Sequence, residues 1–219
     1  MNKMTEINTV SALKKKSGYL VFKGIMDIFL SIVAVLALSP VLLVFSIVIF
    51  LTDFHNPFYL QERIGKGGRA FKIIKFRSMY YDAEDLDKYF TGEQKEKFIA
   101  EYKIEDDPRI TPVGKFIRKF SIDELPQLFN VAFGQMSLVG PRPLTLEETY
   151  FFGDERETLL SVKPGITGLW QVSGRNALTY ESGERQKMEM YYVNNASLWL
   201  DIKIICKTVF RVITRDGAE

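Results

Sequence analysis

FSIDELPQL, residues 120–128, holds the residues best suited to chemistry. Asp123 and Glu124 are adjacent, and Ser121 stands three residues before Glu124. That spacing matches a capping box at the start of a helix. On this reading Glu124 returns to the Ser121 backbone N–H and has no other role, and Asp123 simply suits the helix dipole. The same geometry has a chemical use. A helix N-terminus keeps a carboxylate ionised, which would make Asp123 a competent oxygen nucleophile. Backbone N–H groups there bind phosphate. An Asp-Glu pair could also hold a Mg²⁺ ion that neutralises a diphosphate. Arg118 and Lys119 precede Asp123 closely enough to supply positive charge.

Other candidate anion binders are scattered along the chain. GPRP, residues 140–143, presents Arg142 between Pro141 and Pro143, on a stiff backbone. KPGITGLWQVSGRNAL, residues 163–178, is a glycine-rich stretch ending near Arg175 and Asn176. Arginine suits bidentate binding of phosphate. In KFRSM, residues 75–79, Lys75 and Arg77 share a strand face by period-two spacing. They form either an anion clamp or a solvated edge. Taken singly, each of these motifs also reads as a turn or surface cation. GKGG, residues 65–68, lacks the spacing of a phosphate-binding P-loop and is discounted as one.

These residues need elements to position them. Phe58–Ile64 and Ala70–Phe76 are strand-like and flank GKGG, which predicts a β-hairpin. Residues 82–107 carry ten acids and four lysines and read as a surface helix and loop. VGKFIRKF, residues 113–120, is a basic amphipathic helix with Pro112 in its first turn. Near the C-terminus Lys203, Lys207 and Arg211 form one stripe. Leu198, Trp199, Ile202, Ile205, Val209 and Ile213 fill much of the remaining surface. Such a helix either packs on the core or lies in a membrane interface.

Ile28–Leu51 is a run of 24 residues without a charge. As one helix it would be ~36 Å long, against a hydrocarbon core of ~30 Å. Its start lies too deep in the chain, and it is too long, for a signal peptide. Ser39-Pro40 falls in the middle of the run, where proline lacks an N–H and clashes with the carbonyl of Leu36. Lys3, Lys14, Lys15, Lys16 and Lys23 precede the run. Arg63, Lys66, Arg69, Lys72, Lys75 and Arg77 follow it. Positive flanks prefer the cytoplasmic side. A spanning helix satisfies one flank, whereas a helix that dips in and returns at Ser39-Pro40 satisfies both. The expected division is residues 1–54 as N-terminal segment and re-entrant membrane helix, and 55–219 as cytosolic catalytic domain. The fold class is α+β, predominantly helical, with a small β-hairpin and amphipathic interfacial helices around a compact domain.

Composition excludes several alternatives. The 219 residues hold 29 Lys and Arg against 27 Asp and Glu, so no global nucleic-acid footprint exists. With one cysteine, Cys206, an intrachain disulfide is impossible. With one histidine, His55, a His/Cys zinc centre is effectively ruled out, and a Ser-His-Asp triad would have to use His55. The chemistry falls to carboxylates, Arg, Lys and bound ions.

The Ser39-Pro40 segment, QERIGKGGRAFKIIKFRSM (61–79), DDPRITPVGKFIRKFSIDELPQLFNV (106–131), MSLVGPRP (136–143) and VKPGITGLWQVSGRN (162–176) resemble, in order, the small monotopic phosphoglycosyl transferases. These bacterial enzymes begin glycan assembly on polyprenol phosphate. The resemblance implies a ping-pong reaction. Asp123 attacks the β-phosphate of a UDP-sugar with Mg²⁺ assisting, and UMP leaves. Polyprenol (undecaprenyl) phosphate then takes the phosphosugar from Asp123. It implies Glu124 as metal ligand or base helper and Arg118 and Arg175 as phosphate binders. Pro141, Arg142 and Pro143 would flank the nucleotide, and the anchor would be re-entrant on the cytoplasmic face of the bacterial inner membrane. A homo-oligomer and downstream glycosyltransferases are candidate partners. No larger N-terminal transmembrane region is expected. Two other readings stay open: a catalytically silent membrane adaptor, and a metal-dependent nucleotide-sugar hydrolase.

Overall fold

The computed structural model describes residues 3–92, 94, 95, 98, 106–173 and 182–214. The chain forms two compact units. One gathers the residues up to Ala37, Gln61–Ile73 and Gln127–Gly217. The other gathers Leu38–Leu60 and Ile74–Pro126.

The first element, α1, is a single helix, Lys3–Asp53. Pro40 lies inside it, so Ser39-Pro40 does not end the helix. From Gly18 to Asp53 the helix is long and apolar enough to cross a membrane. Val21, Phe22, Ile25, Phe29, Leu36, Leu43 and Val44 are exposed along it. A helix with so many outward-facing apolar side chains needs an apolar partner or a lipid environment. Two of its serine hydroxyls bond within the helix. Ser31 Oγ donates to the Ile28 carbonyl at 2.9 Å and Ser46 Oγ to that of Leu42 at 2.7 Å.

The predicted hairpin is present, with β1 at Phe58–Ile64 and β2 at Ala70–Phe76. Its connection is a tight turn at Lys66–Gly68. Gly67 and Gly68 have φ of 71° and 76°, a region where a side chain would be strained. A second pair was not expected from sequence. In it β3, Ser137–Val139, runs parallel to β4, Gly165–Thr167. A Cβ on Gly165 would lie 2.1 Å from the Gly140 nitrogen, and one on Gly168 2.3 Å from the Gly140 oxygen. The glycines of GPRP and KPGITG are therefore there for close backbone approach. Three-residue strands carry too little alternation to be read from sequence.

After the hairpin come the one-turn helix α2, Leu86–Tyr89, and α3, Pro112–Lys119. Pro112 occupies the first turn of α3 as expected, and Thr111 caps it by accepting from the Gly114 N–H at 2.8 Å. The helices α4, Gln127–Ala132, α5, Leu146–Tyr150, α6, Arg156–Leu159, α7, Glu184–Asn195, and α8, Leu198–Thr214, complete the described chain. Val139, Leu144, Phe152, Leu159, Tyr192, Val193 and Ile204 form the core of the first unit. In the second unit Phe76 is buried, and Phe58 stacks on it at 5.4 Å.

α8 separates its two sides. Asp201 and Ile204 are buried. Trp199, Ile202, Ile205, Val209 and Phe210 are exposed, and the Lys203 ammonium lies 5.3 Å from the Trp199 ring centre. Beside the basic residues this outward apolar face has the pattern of an interfacial helix. Buried Asp201 is the centre of a polar cluster. It accepts from Tyr19 Oη at 2.6 Å, Lys23 Nζ at 2.8 Å and Tyr192 Oη at 2.7 Å. Lys23 also reaches Asp27 at 3.6 Å, and Asp27 accepts from Ser137 Oγ at 2.5 Å. Asp201→Ala removes the shared acceptor of the Lys23 ammonium and the Tyr19 and Tyr192 hydroxyls. Chemical denaturation in detergent should show a loss of about 3 kcal/mol; an unchanged midpoint would show that the cluster does not tie α1 and α8 together.

Candidate active site

Ser78 positions the site. It follows β2 and is buried. The Ser78 carbonyl accepts from the Thr111 N–H at 3.0 Å. A Cβ on Gly114 would lie 1.8 Å from that same carbonyl, so only glycine lets α3 come this close. Arg118 lies one turn after Gly114 on the same helix face. Its Nε donates to Ser78 Oγ at 2.8 Å. The chain then turns sharply at Ser121, which has a left-handed φ of 53°. Such a conformation is uncommon for a residue with a side chain, and it concentrates at functional sites. Asp123 and Glu124 follow in a three-residue 3₁₀ turn.

Two expectations for this turn are corrected. Ser121 makes no side-chain cap, so the capping box does not form, and the helix proper starts only at Gln127. The left-handed Ser121 cannot also serve as an extended N-cap. Nor is Asp123 held strongly ionised. Burial first, and the neighbouring Glu124 charge second, push its pKa up to about 6, while Lys75 and Arg118 pull it down. A three-residue turn has too short a dipole to offset desolvation.

Lys75 approaches Glu124 at 3.5 Å. Arg118, half-buried, sits in the field of Asp123 and of Asp107, and burial lowers its own pKa. Asp107 is held by Arg109, whose Nη2 donates to it at 2.6 Å. Burial raises the Asp107 pKa, yet its bonds to Arg109 outweigh that and bring it below the usual range. Arg109 in turn lies over the Phe98 ring at 4.2 Å.

Arg77 does not join Lys75 in an anion clamp. Both Arg77 Nη atoms pair with Asp53, Nη2 at 2.6 Å, and Nε donates to the Asn56 carbonyl at 2.8 Å. β2 ends at Phe76, so period-two spacing no longer applies at Arg77. Ser39 and Pro40 are exposed on α1. Pro141, Arg142 and Pro143 belong to the other unit. There the Arg142 N–H donates to buried Glu189 at 3.1 Å, and its guanidinium lies 5.6 Å from the Trp170 ring centre. Arg185 lies over that ring at 4.2 Å. Burial pushes the Glu189 pKa up to about 7, against the Arg142 N–H and the Arg185 charge. Trp170, Arg185 and Glu189 were missed because nothing in their spacing marks them. Ser78 and Gly114 were missed too, although a glycine one turn before an arginine on a basic helix was a usable signal. Arg175 lies outside the described residues.

Among the described residues no three His, Cys, Asp or Glu side chains gather as a metal cage. The Asp123-Glu124 pair still suits Mg²⁺, which takes one or two protein carboxylates and fills its shell with substrate phosphates and water. Burial raises the Asp123 pKa most, and a divalent ion would relieve the Glu124 repulsion that adds to it.

The model of the family described as bacterial sugar transferase matches residues 18–215. The chain belongs to this family. It is 42% identical over 208 residues to the undecaprenyl-phosphate galactose phosphotransferase of Salmonella typhimurium, covering 94% of this chain and 43% of that protein. It is 43% identical over 204 residues to the galactosyl transferase CpsE of Streptococcus agalactiae, covering 93% and 45%. It is 39% identical over 199 residues to the exopolysaccharide production protein ExoY of Sinorhizobium fredii, covering 90% and 87%. The chain thus spans less than half of the first curated relatives it matches and most of the last.

Asp123, with a pKa of about 6, sets a titration in the metal-free protein. Its ionised fraction should fall about tenfold per pH unit below 6 and level off above it. Stability should move the other way. The native state holds an extra proton between pH 3.8 and about 6, so it loses stability as pH rises through that window. A titration of Asp123 by NMR in metal-free protein with its midpoint in the ordinary carboxylate range would overturn this.

Proposed function

We propose that this chain transfers a sugar 1-phosphate from a UDP-sugar to polyprenol phosphate at the cytoplasmic face of the bacterial inner membrane. The observation that carries the proposal is the Asp123-Glu124 pair, half-buried and faced by Lys75 and Arg118, in a chain of this family. The printed names of its relatives, an undecaprenyl-phosphate galactose phosphotransferase among them, support the acceptor class.

Ionised Asp123 attacks the β-phosphorus of the donor. An O–P bond forms, the bond to the bridging oxygen breaks, and UMP leaves with the electron pair. A phosphate oxygen of the polyprenol phosphate then attacks the same phosphorus. The product is a polyprenol diphosphosugar, and Asp123 is regenerated. Lys75 and Arg118 offset charge accumulating on the phosphoryl oxygens. Ser78 holds the Arg118 guanidinium in place. Asp123 and Glu124 would hold Mg²⁺, which when bound screens the charge of the diphosphate. The Pro141-Arg142-Pro143 turn and Arg175 are proposed to bind the donor, and a pathway's later glycosyltransferases to consume the product.

Asp123→Asn should fold normally, form no protein-linked phosphosugar and release no UMP from any UDP-sugar with Mg²⁺ and polyprenol phosphate. An adduct on that variant would remove Asp123 as nucleophile. Wild-type UMP release without an adduct and without lipid acceptor would instead mark a hydrolase. No release from folded wild type across a broad donor panel would mark an adaptor.

α1 is proposed to be re-entrant, with both flanks cytoplasmic. The basic residues on both sides and Pro40 in its middle support this. In a Cys206→Ser background, cysteines placed at Asn8 and His55 should both be labelled only from the cytoplasmic side. Labelling of the two from opposite sides would show a spanning helix.

A further inference from the structure

The first unit contains a cavity of about 190 Å³ that holds none of the carboxylate pair's residues. Leu20, Val21, Ile25, Ile28, Val139 and Val162 give it apolar walls. Its charged groups are Lys23, Asp27, Lys66 and Lys163. They are not equivalent. Lys23 is taken by Asp201 at 2.8 Å and by Asp27 at 3.6 Å, and Asp27 also accepts from Ser137. Lys66 and Lys163 make no hydrogen bond or ion pair with the described residues. Lys66, exposed, and Lys163, half-buried, thus both line a space with room for roughly six waters.

Both lysines are fixed by their backbone. Lys66 sits in the hairpin turn, whose Gly67 N–H donates to the Leu160 carbonyl at 2.7 Å. Lys163 precedes β4, and its ammonium lies 3.6 Å from where a Cβ on Gly134 would be. Gly134 has φ of 74°, so that space stays open. Burial and the charge of Lys66 lower the Lys163 pKa, while Asp27 raises it, which places the like charges within mutual range.

The cavity wall formed by α1 lies where the helix passes from its basic flank into the uncharged run. Val21, Phe22, Ile25 and Phe29 are exposed there. An anion held by the lysines and a hydrocarbon chain held by these side chains describe a lipid. We propose that this cavity is a binding site for an anionic membrane phospholipid, its phosphate between Lys66 and Lys163 and an acyl chain along Val21 and Ile25. Basic pockets beside membrane helices bind lipid headgroups in this way. The cavity admits a phosphate and glycerol, with the chains outside. The inference rests on the membrane reading of α1.

The test uses the full chain in an uncharged detergent. Native mass spectrometry would compare retention of phosphatidylglycerol and phosphatidylcholine by wild type, a Lys66→Gln/Lys163→Gln variant and a Lys66→Arg/Lys163→Arg variant. Wild type and the arginine variant should prefer phosphatidylglycerol by about tenfold, and the glutamine variant should lose that preference. Equal retention by all three overturns the site. Displacement of phosphatidylglycerol by millimolar inorganic phosphate, or by equimolar polyprenol phosphate, overturns the assignment to a phospholipid. Flotation with neutral phosphatidylcholine vesicles separates the two readings. Wild type and glutamine variant should float alike through α1. If neither floats, the membrane reading falls and takes the site with it, whereas equal lipid retention with flotation intact removes the site alone.

Discussion

Two adjacent carboxylates, half withdrawn from water, cannot both stay charged without cations beside them. That constraint at Asp123 and Glu124 organises the unit around them. Lys75 comes from β2 and Arg118 from α3, and both elements must hold their distance. The fixed point is the Ser78 carbonyl, which takes the Thr111 N–H and leaves no room for a side chain at Gly114. Arg118 then reaches Ser78 Oγ rather than swinging into solvent. Even so, burial first and the Glu124 charge second hold the Asp123 pKa above its ordinary value, at about 6.

The sequence revealed those parts of this arrangement that depend on type and short-range spacing. The hairpin boundaries, the first turn of α3 and the apolar run were all legible, because each follows from local periodicity or turn chemistry. The acids and Arg118 were legible as residues. Their electrostatics were not. A capping box and a lowered aspartate pKa follow from an ideal helix N-terminus, and the left-handed Ser121 removes that premise. Whether a carboxylate is buried depends on segments distant in sequence, and no window around DELPQL contains them. Arg77 failed for a related reason. Its partner, Asp53, comes from the end of α1, a long way up the chain.

The first unit shows the same division. In sequence GPRP reads as a stiff backbone presenting Arg142, and KPGITGLWQVSGRNAL as a glycine-rich stretch ending near Arg175. In the fold their glycines press backbone against backbone across the β3–β4 pair. A glycine's sequence context does not say whether it serves flexibility or close approach. Nor could spacing show that Glu189, on α7, would meet the Arg142 N–H, or that Arg142 and Arg185 would share the Trp170 ring.

A near-neutral net charge conceals how differently the cations are used. Arg77, Arg109 and Lys23 are neutralised internally by Asp53, Asp107 and Asp201. These pairs fix elements in place and leave nothing to attract a ligand. Lys75 and Arg118 stand beside the Asp123-Glu124 pair, where both lower the Asp123 pKa. Lys66 and Lys163 have no pairing acid among their described contacts, though Asp27 lies within range of Lys163. In sequence, Lys23, Lys66, Lys75 and Arg77 read as basic flanks of the apolar run, and Lys75, Arg77 and Arg118 also as candidate anion binders. The structure separates them by what each already touches. Lys75 and Arg118 flank the carboxylate pair, whereas Lys66 and Lys163 line a cavity beside α1 with no acid paired to them among the described residues.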